Sequence, residues 1–539
     1  MPSSIARAVV IGLTAALVAA CSSAPSAGPA SGAPGTGASA TATPVPKVRM
    51  QDDSPAGTPK AGGRLKLLIR LDATELDPHK TTETSSYLVN ENTYESLLEA
   101  VSGEIKASLA ESWSAAPDGL TYTFKLRPNV KFHSGRALTP ADVKYSIERI
   151  MNPTTASPRR ANYAGIDAIE TPDASTVVFK LKTPFTPFLA LMATSGASIV
   201  DKGVVDAGGL NGAVDGGTGP FMVKERVKGQ QIVLDKNPAY WRSGLPYLDG
   251  ITVTFNPDDN ARAAAVKSGT VDFLWRAAPE FIESLKADPS LKWYGGIGSL
   301  SLHLVLNTKK KPFDDVRVRQ AIFYALDRDQ ILTVANSGLG TPLKAGYLPP
   351  DRWGSVKEPI YDKPDITKAK ALLTEAGYPT GFKTTLLVIA TSAFQVRSAE
   401  AEQQQLKAIG IDVELKPVEA TVANPAIAAG NFDMYQSGFS MTLDPDELFS
   451  RAFLSTGGNN FGKWSDPEYD ALIVKARAQT DRAEREKTYQ QAERILATRG
   501  PAAMTWASAD FDVVQRKVMG YKGDSTPSYR FYRDLWLNQ

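Results

Sequence analysis

From Gly62 onward the chain mixes two hydrophobic periods. In LTYTFKLR (120–127), Leu120, Tyr122, Phe124 and Leu126 alternate with Thr121, Thr123, Lys125 and Arg127. A period of two predicts a half-buried strand. TVVFKL (176–181) predicts another. Between them, LTPADVKYSIERIM (138–151) changes to the helical period, with Val143, Ile147 and Ile150 on one face. Thr139 is placed to cap that helix, and Pro140 suits its first turn. DITKAKALLTEAGY (365–378) predicts a helix capped by Asp365, with Ala369, Leu372, Leu373 and Ala376 on one face and Gly377 at its end. Asp466-Pro467 opens a further helix, and Asp481 with Glu484 forms a capping-box pattern for the next. The class is α/β, without an obvious short repeat.

The amino-terminal pattern is different. Residues 8–20 (AVVIGLTAALVAA) are continuously apolar behind Arg7, a length that suits a signal-peptide core and falls short of a membrane-spanning helix. Leu17-Val18-Ala19-Ala20-Cys21 then resembles a bacterial lipobox, in which small residues admit the peptidase and the thiol takes the lipid. Cys21 is the one cysteine in 539 residues, so no internal disulfide forms. Residues 22–60 are rich in Ala, Gly, Ser, Thr and Pro and have too few large apolar side chains to offset their ordering entropy. They predict a disordered tether with an average span of roughly 35 Å.

Composition narrows the chemistry. Sixty basic and 58 acidic residues leave a net charge of +2, which gives no reason to expect a nucleic-acid partner. One cysteine and three histidines (His79, His133 and His303) do not suit a structural zinc site, and the histidines lie far apart without HExxH spacing. His133, at a strand end, reads as a structural group. Asp444 and Asp446 sit in a Pro-containing loop, where such pairs cap turns. GGNNFGKW (457–464) matches GxxxxGK, but Trp464 stands where a P-loop needs Ser or Thr, and the helix signal comes only at Asp466-Pro467. No catalytic residue, metal or cofactor is expected.

Several stretches together resemble the peptide-type solute-binding proteins of ABC importers, extracellular solute-binding protein family 5. They are GGRLKLLIRLDATELDPHK (62–80), LAESWSAAPDGLTYTFKLRPNVKFHSGRALTPADVKYSIERI (109–150), GTGPFMVKERVKGQQIVLDKNPAYWRSGLPYLDGITV (217–253), LVLNTKKKPFDDVRVRQAIFYALDRDQI (304–331), KAKALLTEAGYP (368–379) and FGKWSDPEYDALI (461–473). They cover essentially everything after the tether. The resemblance implies a two-lobe periplasmic-binding-protein-like fold, closing by a hinge over a ligand, with an extra subdomain in the first lobe. It places the first lobe at 61–95, 218–306 and 504–539, the subdomain at 96–217 and the second lobe at 307–503, behind a signal peptide at 1–20 and a tether at 21–60.

The resemblance also implies a cleft. Peptide-binding members line it with a Gly-Trp segment, followed by an Asp that pairs with the ligand's amino group. Here SGFSMTLDPDELF (437–449) puts Phe439 in place of the Trp, with Ser440 beside it as a further cleft candidate, and leaves Thr442 or Met441 where the carboxylate would stand. The upstream Arg that grips a dipeptide carboxylate has no match; Arg397 comes a helix turn or two late. A buried ammonium without a partner costs several kcal/mol, about a hundredfold or more in affinity. A zwitterionic dipeptide is therefore disfavoured, whereas blocked or longer peptides, oligosaccharides and other polar solutes remain. Further cleft candidates are Ser86 and Tyr87 after the first strand, Trp275 and Arg276 at the end of VDFLWR, and Phe394 and Gln395 before a second-lobe helix. For the aromatics core packing is the plain alternative, and for Arg276 a surface ion pair. The resulting expectation is a monomeric lipoprotein, held outside the cytoplasm by its lipid alone, that delivers a peptide or related solute to ABC permease subunits. A ligand-sensing lipoprotein for a membrane receptor is the alternative from another class, and a secreted hydrolase lacks a nucleophile–base pair.

Overall fold

A computed structural model describes residues 49–50, 57–101, 103–210, 215–440, 443–522 and 530–539. The expected signal segment, Cys21 and most of the expected tether lie outside the described residues, as do Met441 and Thr442.

The alternating stretches form strands. Thr121–Leu126 and Thr176–Leu181 pair antiparallel, with Tyr122 opposite Phe179 and Phe124 opposite Val177. Ala110–Ala115 and Ile166–Asp173 flank them in a four-stranded sheet. Phe124 meets Phe179 edge-on at 5.7 Å. The helix Pro140–Met151 buries Val143, Ile147 and Ile150 completely against the same core. Thr139 and Asp142 cap it reciprocally. This unit is the extra subdomain: a sheet with one polar face needs a helix on the other to remove its apolar side chains from water.

A twelve-stranded sheet dominates the rest of the described chain, beside two two-stranded sheets, Leu98–Val101 with Glu104–Ala107 and Val518–Met519 with Trp536–Leu537. Its core order is Ile411–Val418, Phe382–Ile389, Met434–Ser440, Leu291–Leu306, Ala502–Gln515, Phe273–Leu274, Arg64–Ile69, Gly250–Phe255, Gln231–Lys236 and Phe221–Val227. The strands Leu291–Leu306 and Ala502–Gln515 are long enough to serve both lobes. Their antiparallel register breaks between Ile297 and Ser301. On one side of the break they adjoin a core built from Leu65, Leu67, Ile69, Phe221, Ile251 and Phe273. On the other they adjoin two cores, one holding Leu302, Leu304, Leu386 and Trp506, the other Val305, Phe439, Phe449 and Tyr489. Two lobes joined by shared strands follow directly.

Until Leu300, where the partner strand ending in Ser440 begins, one edge of Leu291–Leu306 is open. Arg49 and Met50 pair there with Gly295 and Tyr294. This corrects the expectation of a tether without structure through residue 60. An uncovered strand edge offers unpaired N–H and C=O groups, and a passing segment gains by filling them. Residues 57–60 are exposed, with Lys60 donating to Asn538.

The predicted helix starts hold. Asp365 caps Ile366–Glu375, Asp466 caps Pro467–Ala478 and Asp481 caps Arg482–Arg499. Gly377 takes φ 91°, a conformation costly for any residue with a Cβ. Asp481 accepts from the Glu484 N–H, but the Glu484 carboxylate takes Lys487, so the reciprocal half of the box is used elsewhere. Among the described residues no helix is long and apolar enough to cross a membrane.

Candidate functional site

Phe439 lies on Met434–Ser440, opposite Ser301 of the long strand. It is buried, stacks on His303 at 5.0 Å and 19°, and meets Phe453 edge-on at 6.3 Å. The Arg451 guanidinium lies 5.9 Å from its ring centre. Ser440 is exposed at the end of the strand. Burial holds the His303 imidazole down to about 3, so it is a neutral aromatic neighbour at any ordinary pH.

Tyr87 comes from the other lobe, on the helix Thr84–Thr93. Its hydroxyl donates to the Thr81 carbonyl at 2.8 Å and accepts from Arg159 Nε at 2.9 Å. Arg159 also stacks on the ring, 5.3 Å from its centre. Glu447 stands 3.8 Å from Arg159 and 3.8 Å from Arg451. A continuous chain therefore runs Tyr87, Arg159, Glu447, Arg451, Phe439, from one lobe to the other. Burial opposes the Arg159 charge, but the Tyr87 hydroxyl and Glu447 outweigh it and hold the guanidinium above its ordinary range.

A second bridge closes the same side. Thr186 donates its N–H and hydroxyl to the Arg477 carbonyl at 2.9 and 3.0 Å. The Arg477 guanidinium lies 5.4 Å from the Phe185 ring centre. Asp444 and Asp446 secure this region. Asp444 caps the helix Pro445–Phe453 and takes both Arg485 terminal nitrogens at 2.6 and 2.7 Å. Asp446 takes Arg477 at 2.8 and 3.0 Å. Burial pushes the Asp444 carboxyl up, and Arg485 pulls it back. Both acids are committed to structure.

The remaining candidates make other contacts. Ser86 is fully buried; its hydroxyl accepts from the Glu75 N–H and donates to Glu83 at 3.3 Å each, so it holds the helix entry. Trp275 is nearly buried beneath Arg276, whose guanidinium sits 4.6 Å from the indole. Arg276 pairs with Asp510 at 2.9 Å, half-buried. Arg262 donates to the Trp275 and Arg276 carbonyls at 2.6 and 2.7 Å, and the Arg276 N–H donates to Asp512, which fixes the φ of 49° at Arg276. Phe394 packs edge-on to Trp506 at 6.2 Å, in a core away from Phe439. Gln395 beside it has a buried Oε1 with no hydrogen bond among the described residues. Arg397 donates to the Ala335 carbonyl at 3.0 and 2.9 Å. The structure thus joins Tyr87 to Phe439 through side chains, while Tyr87 packs against the same core as Trp275 and Phe394 packs in another core of the second lobe.

The other motifs resolve into structure. His133 Nε2 donates to the Gly219 carbonyl at 3.0 Å and Nδ1 faces Asp215. Burial works against its charge, and Asp215 overcomes it, raising the imidazole above its ordinary value. Buried His79 receives Arg149 at Nδ1 and donates from Nε2 to Ser198, and its pKa falls to about 4. In GGNNFGKW, Asn460 fills the loop by bonding Leu454 and Trp464, and Trp464 is buried against Tyr469 at 5.1 Å. A loop whose centre is taken by a side chain cannot wrap a phosphate. Among the described residues no group of three or more His, Asp or Glu side chains is placed to hold a metal.

Sequence reasoning missed Arg159, Glu447 and Arg451. Glu447 and Arg451 are four apart on one helix, a legible pair. Nothing in SPRRANY marks Arg159, whose role depends on which elements the fold brings opposite it.

The comparisons with known proteins agree with this architecture. Residues 104–461 match the profile of the Bacterial extracellular solute-binding proteins, family 5 Middle. The glutathione-binding protein GsiB of Pectobacterium atrosepticum is 32% identical over 433 residues, covering 78% of this chain and 84% of that protein. The periplasmic binding protein DppA of Helicobacter pylori, solved with the peptide STSA, superimposes with a TM-score of 0.79 at 30% identity, covering 89% of this chain and 99% of that one. The binding protein AgaA of A.tumefacien R10, solved with agropinic acid, gives a TM-score of 0.79 at 31% identity over 88% and 99%. These relatives are binding proteins and not enzymes. With its two lobes, its subdomain and a profile match across most of its length, this chain belongs to the family 5 extracellular solute-binding proteins of ABC importers.

Proposed function

We propose that this chain is a lipid-anchored capture protein. Cys21 carries the lipid and residues 22–60 form the leash, apart from the segment paired at Arg49 and Met50. The lobes, bounded near residues 218, 307 and 504, enclose a small peptide or amino-acid-derived polar solute. The protein works as a monomer and hands its ligand to the permease subunits of an ABC importer. The observation that supports this reading is the side-chain chain from Tyr87 through Arg159, Glu447 and Arg451 to Phe439, which links residues assigned to the two lobes. The named relatives support the ligand class, since they bind glutathione, a peptide and agropinic acid.

Met441 and Thr442 offer a ligand ammonium no charge at the place where the family resemblance sets a carboxylate. Free dipeptides therefore bind weakly and amino-acetylated ones better, by about tenfold or more. Calorimetry with glutathione, free and amino-acetylated dipeptides and xylo-oligosaccharides tests this. Submicromolar binding of a free dipeptide, lost on acetylation, would sink it. The anchor is tested separately. Cys21→Ser releases the body from the membrane fraction, and a variant that stays membrane-bound refutes the lipid.

A further inference from the structure

Two guanidiniums from opposite lobes share one carboxylate at this boundary. Arg159 lies on the first-lobe side, in the subdomain, and Arg451 on the second-lobe helix Pro445–Phe453. Glu447 reaches each only to 3.8 Å, beyond hydrogen-bond length. Arg451 Nε is buried and makes no hydrogen bond among the described residues. Arg159 spends Nε and one terminal nitrogen on the Tyr87 hydroxyl, which leaves Nη1 turned toward Glu447. The other acid acting on that hydroxyl, Glu91, lies four residues along the same helix. Counting Glu91, two guanidiniums face two carboxylates over the two aromatic rings, and Glu447 meets neither arginine at hydrogen-bond length.

Arg159 is also given room deliberately. A Cβ on Gly196 would lie 2.3 Å from Arg159 Cδ, so the side chain passes where only glycine permits it. A plain surface pair needs no such groove. A guanidinium presents its donors in a planar fork matched to a carboxylate, and such charge-assisted bonds are the strong ones.

We infer that Arg159 and Arg451 form a carboxylate-binding subsite assembled when the lobes meet, and that Glu447 holds the two arginines until a ligand carboxylate enters between them. The inference rests on the solute-binding reading and adds the ligand's charge: at least one carboxylate, gripped by side chains from both lobes. The carboxylate contact then helps to hold the closed form, because each lobe alone supplies only one of the two cations.

The test is calorimetry with glutathione and acetyl-dialanine, each as the acid and as the carboxamide, on the wild-type chain and on Arg159→Gln, Arg451→Gln and Glu447→Gln. The acid form of at least one probe should bind ten- to a hundredfold more tightly than its amide. Arg159→Gln and Arg451→Gln should each erase most of that preference, lowering acid affinity at least tenfold more than amide affinity. Arg159→Lys should restore part of it. Glu447→Gln should tighten acid binding, since it removes the competing carboxylate. If Glu447 is only a latch between lobes, that same variant weakens every ligand, and the subsite is overturned. An amide that binds as well as its acid overturns it too, and leaves the peptide reading standing. If neither probe binds in either form, the peptide reading fails, and the subsite is judged on the molecule that co-purifies, identified by native mass spectrometry. An anion lost from Arg159→Gln and Arg451→Gln upholds the subsite; a neutral or cationic molecule retained by both refutes it.

Discussion

Gly196 shows how one missing atom sets the chemistry of a neighbour. Its absent Cβ lets Arg159 lie across it and reach Tyr87 and Glu447. Gly196→Ala should displace the Arg159 side chain, because the clash falls on a mid-chain carbon and not on a free tip. The backbone at Gly196 needs no left-handed conformation, so the fold should survive with a loss of about 1–2 kcal/mol. Tyr87 should lose its guanidinium partner, and affinity for a carboxylate ligand should fall about tenfold. A crystal structure with Arg159 still on Tyr87 would remove the reason for the glycine.

At the scale of elements, the helix Ala393–Lys407 carries an acid into the core of the second lobe. Glu402 is fully buried, and burial pushes its carboxyl to about 8, against weaker opposing pulls from Gln436 and Arg328. The sign follows from linkage. Between pH 4.5 and 8 the folded chain keeps a proton that the unfolded chain has released, so stability falls as pH rises through that window. Glu402→Gln should leave the protein near wild-type stability at pH 4.5 and more stable at pH 8.5, on the order of a few kcal/mol. Glu493, also raised to about 8, remains in the variant, so the pH dependence should flatten only in part. Urea unfolding at the two pH values decides it; parallel curves for the two proteins would show that Glu402 is ionised in its pocket. Glu493 differs in kind, because it accepts from the Leu348 and Val356 N–H groups at 2.7 and 2.6 Å and thereby shapes the loop between them.

At the scale of the whole molecule, the lobes meet among the described residues through polar bridges and through Leu443, which packs against the subdomain core. Thr186 meets the Arg477 carbonyl, and Arg159 faces Glu447. Such contacts contribute little each in partial solvent. Without ligand the lobes should therefore part, turning about the shared strands near their register break at Ile297 to Ser301. Small-angle scattering should give a smaller radius of gyration with bound ligand than without. Thr186→Val should shift the ligand-free protein further toward the open form. An unchanged radius on saturation with a calorimetrically verified ligand would contradict hinge closure.

The sequence by itself determined the elements and the class. Alternation in LTYTFKLR and TVVFKL, and the caps at Thr139, Asp365 and Asp466, are local effects, set by side chains within a few residues of one another. It also showed what GGNNFGKW could not do, because Trp464 stands within the motif itself. The resemblance carried the two-lobe architecture across most of the chain. Only the tertiary structure decided which candidates meet. Tyr87 and Phe439 are more than 350 residues apart, and of the residues that join them only Glu447 and Arg451 form a pair legible on one helix, whereas Arg159 carries no local mark. Arg276 and Arg397 look as available in the sequence as Arg159 does. Asp510 and the Ala335 carbonyl occupy them in the fold. A hydrophobic period is a property of neighbouring positions, whereas a charge finds its partner through the whole path of the chain, and for this protein that path runs twice between the lobes.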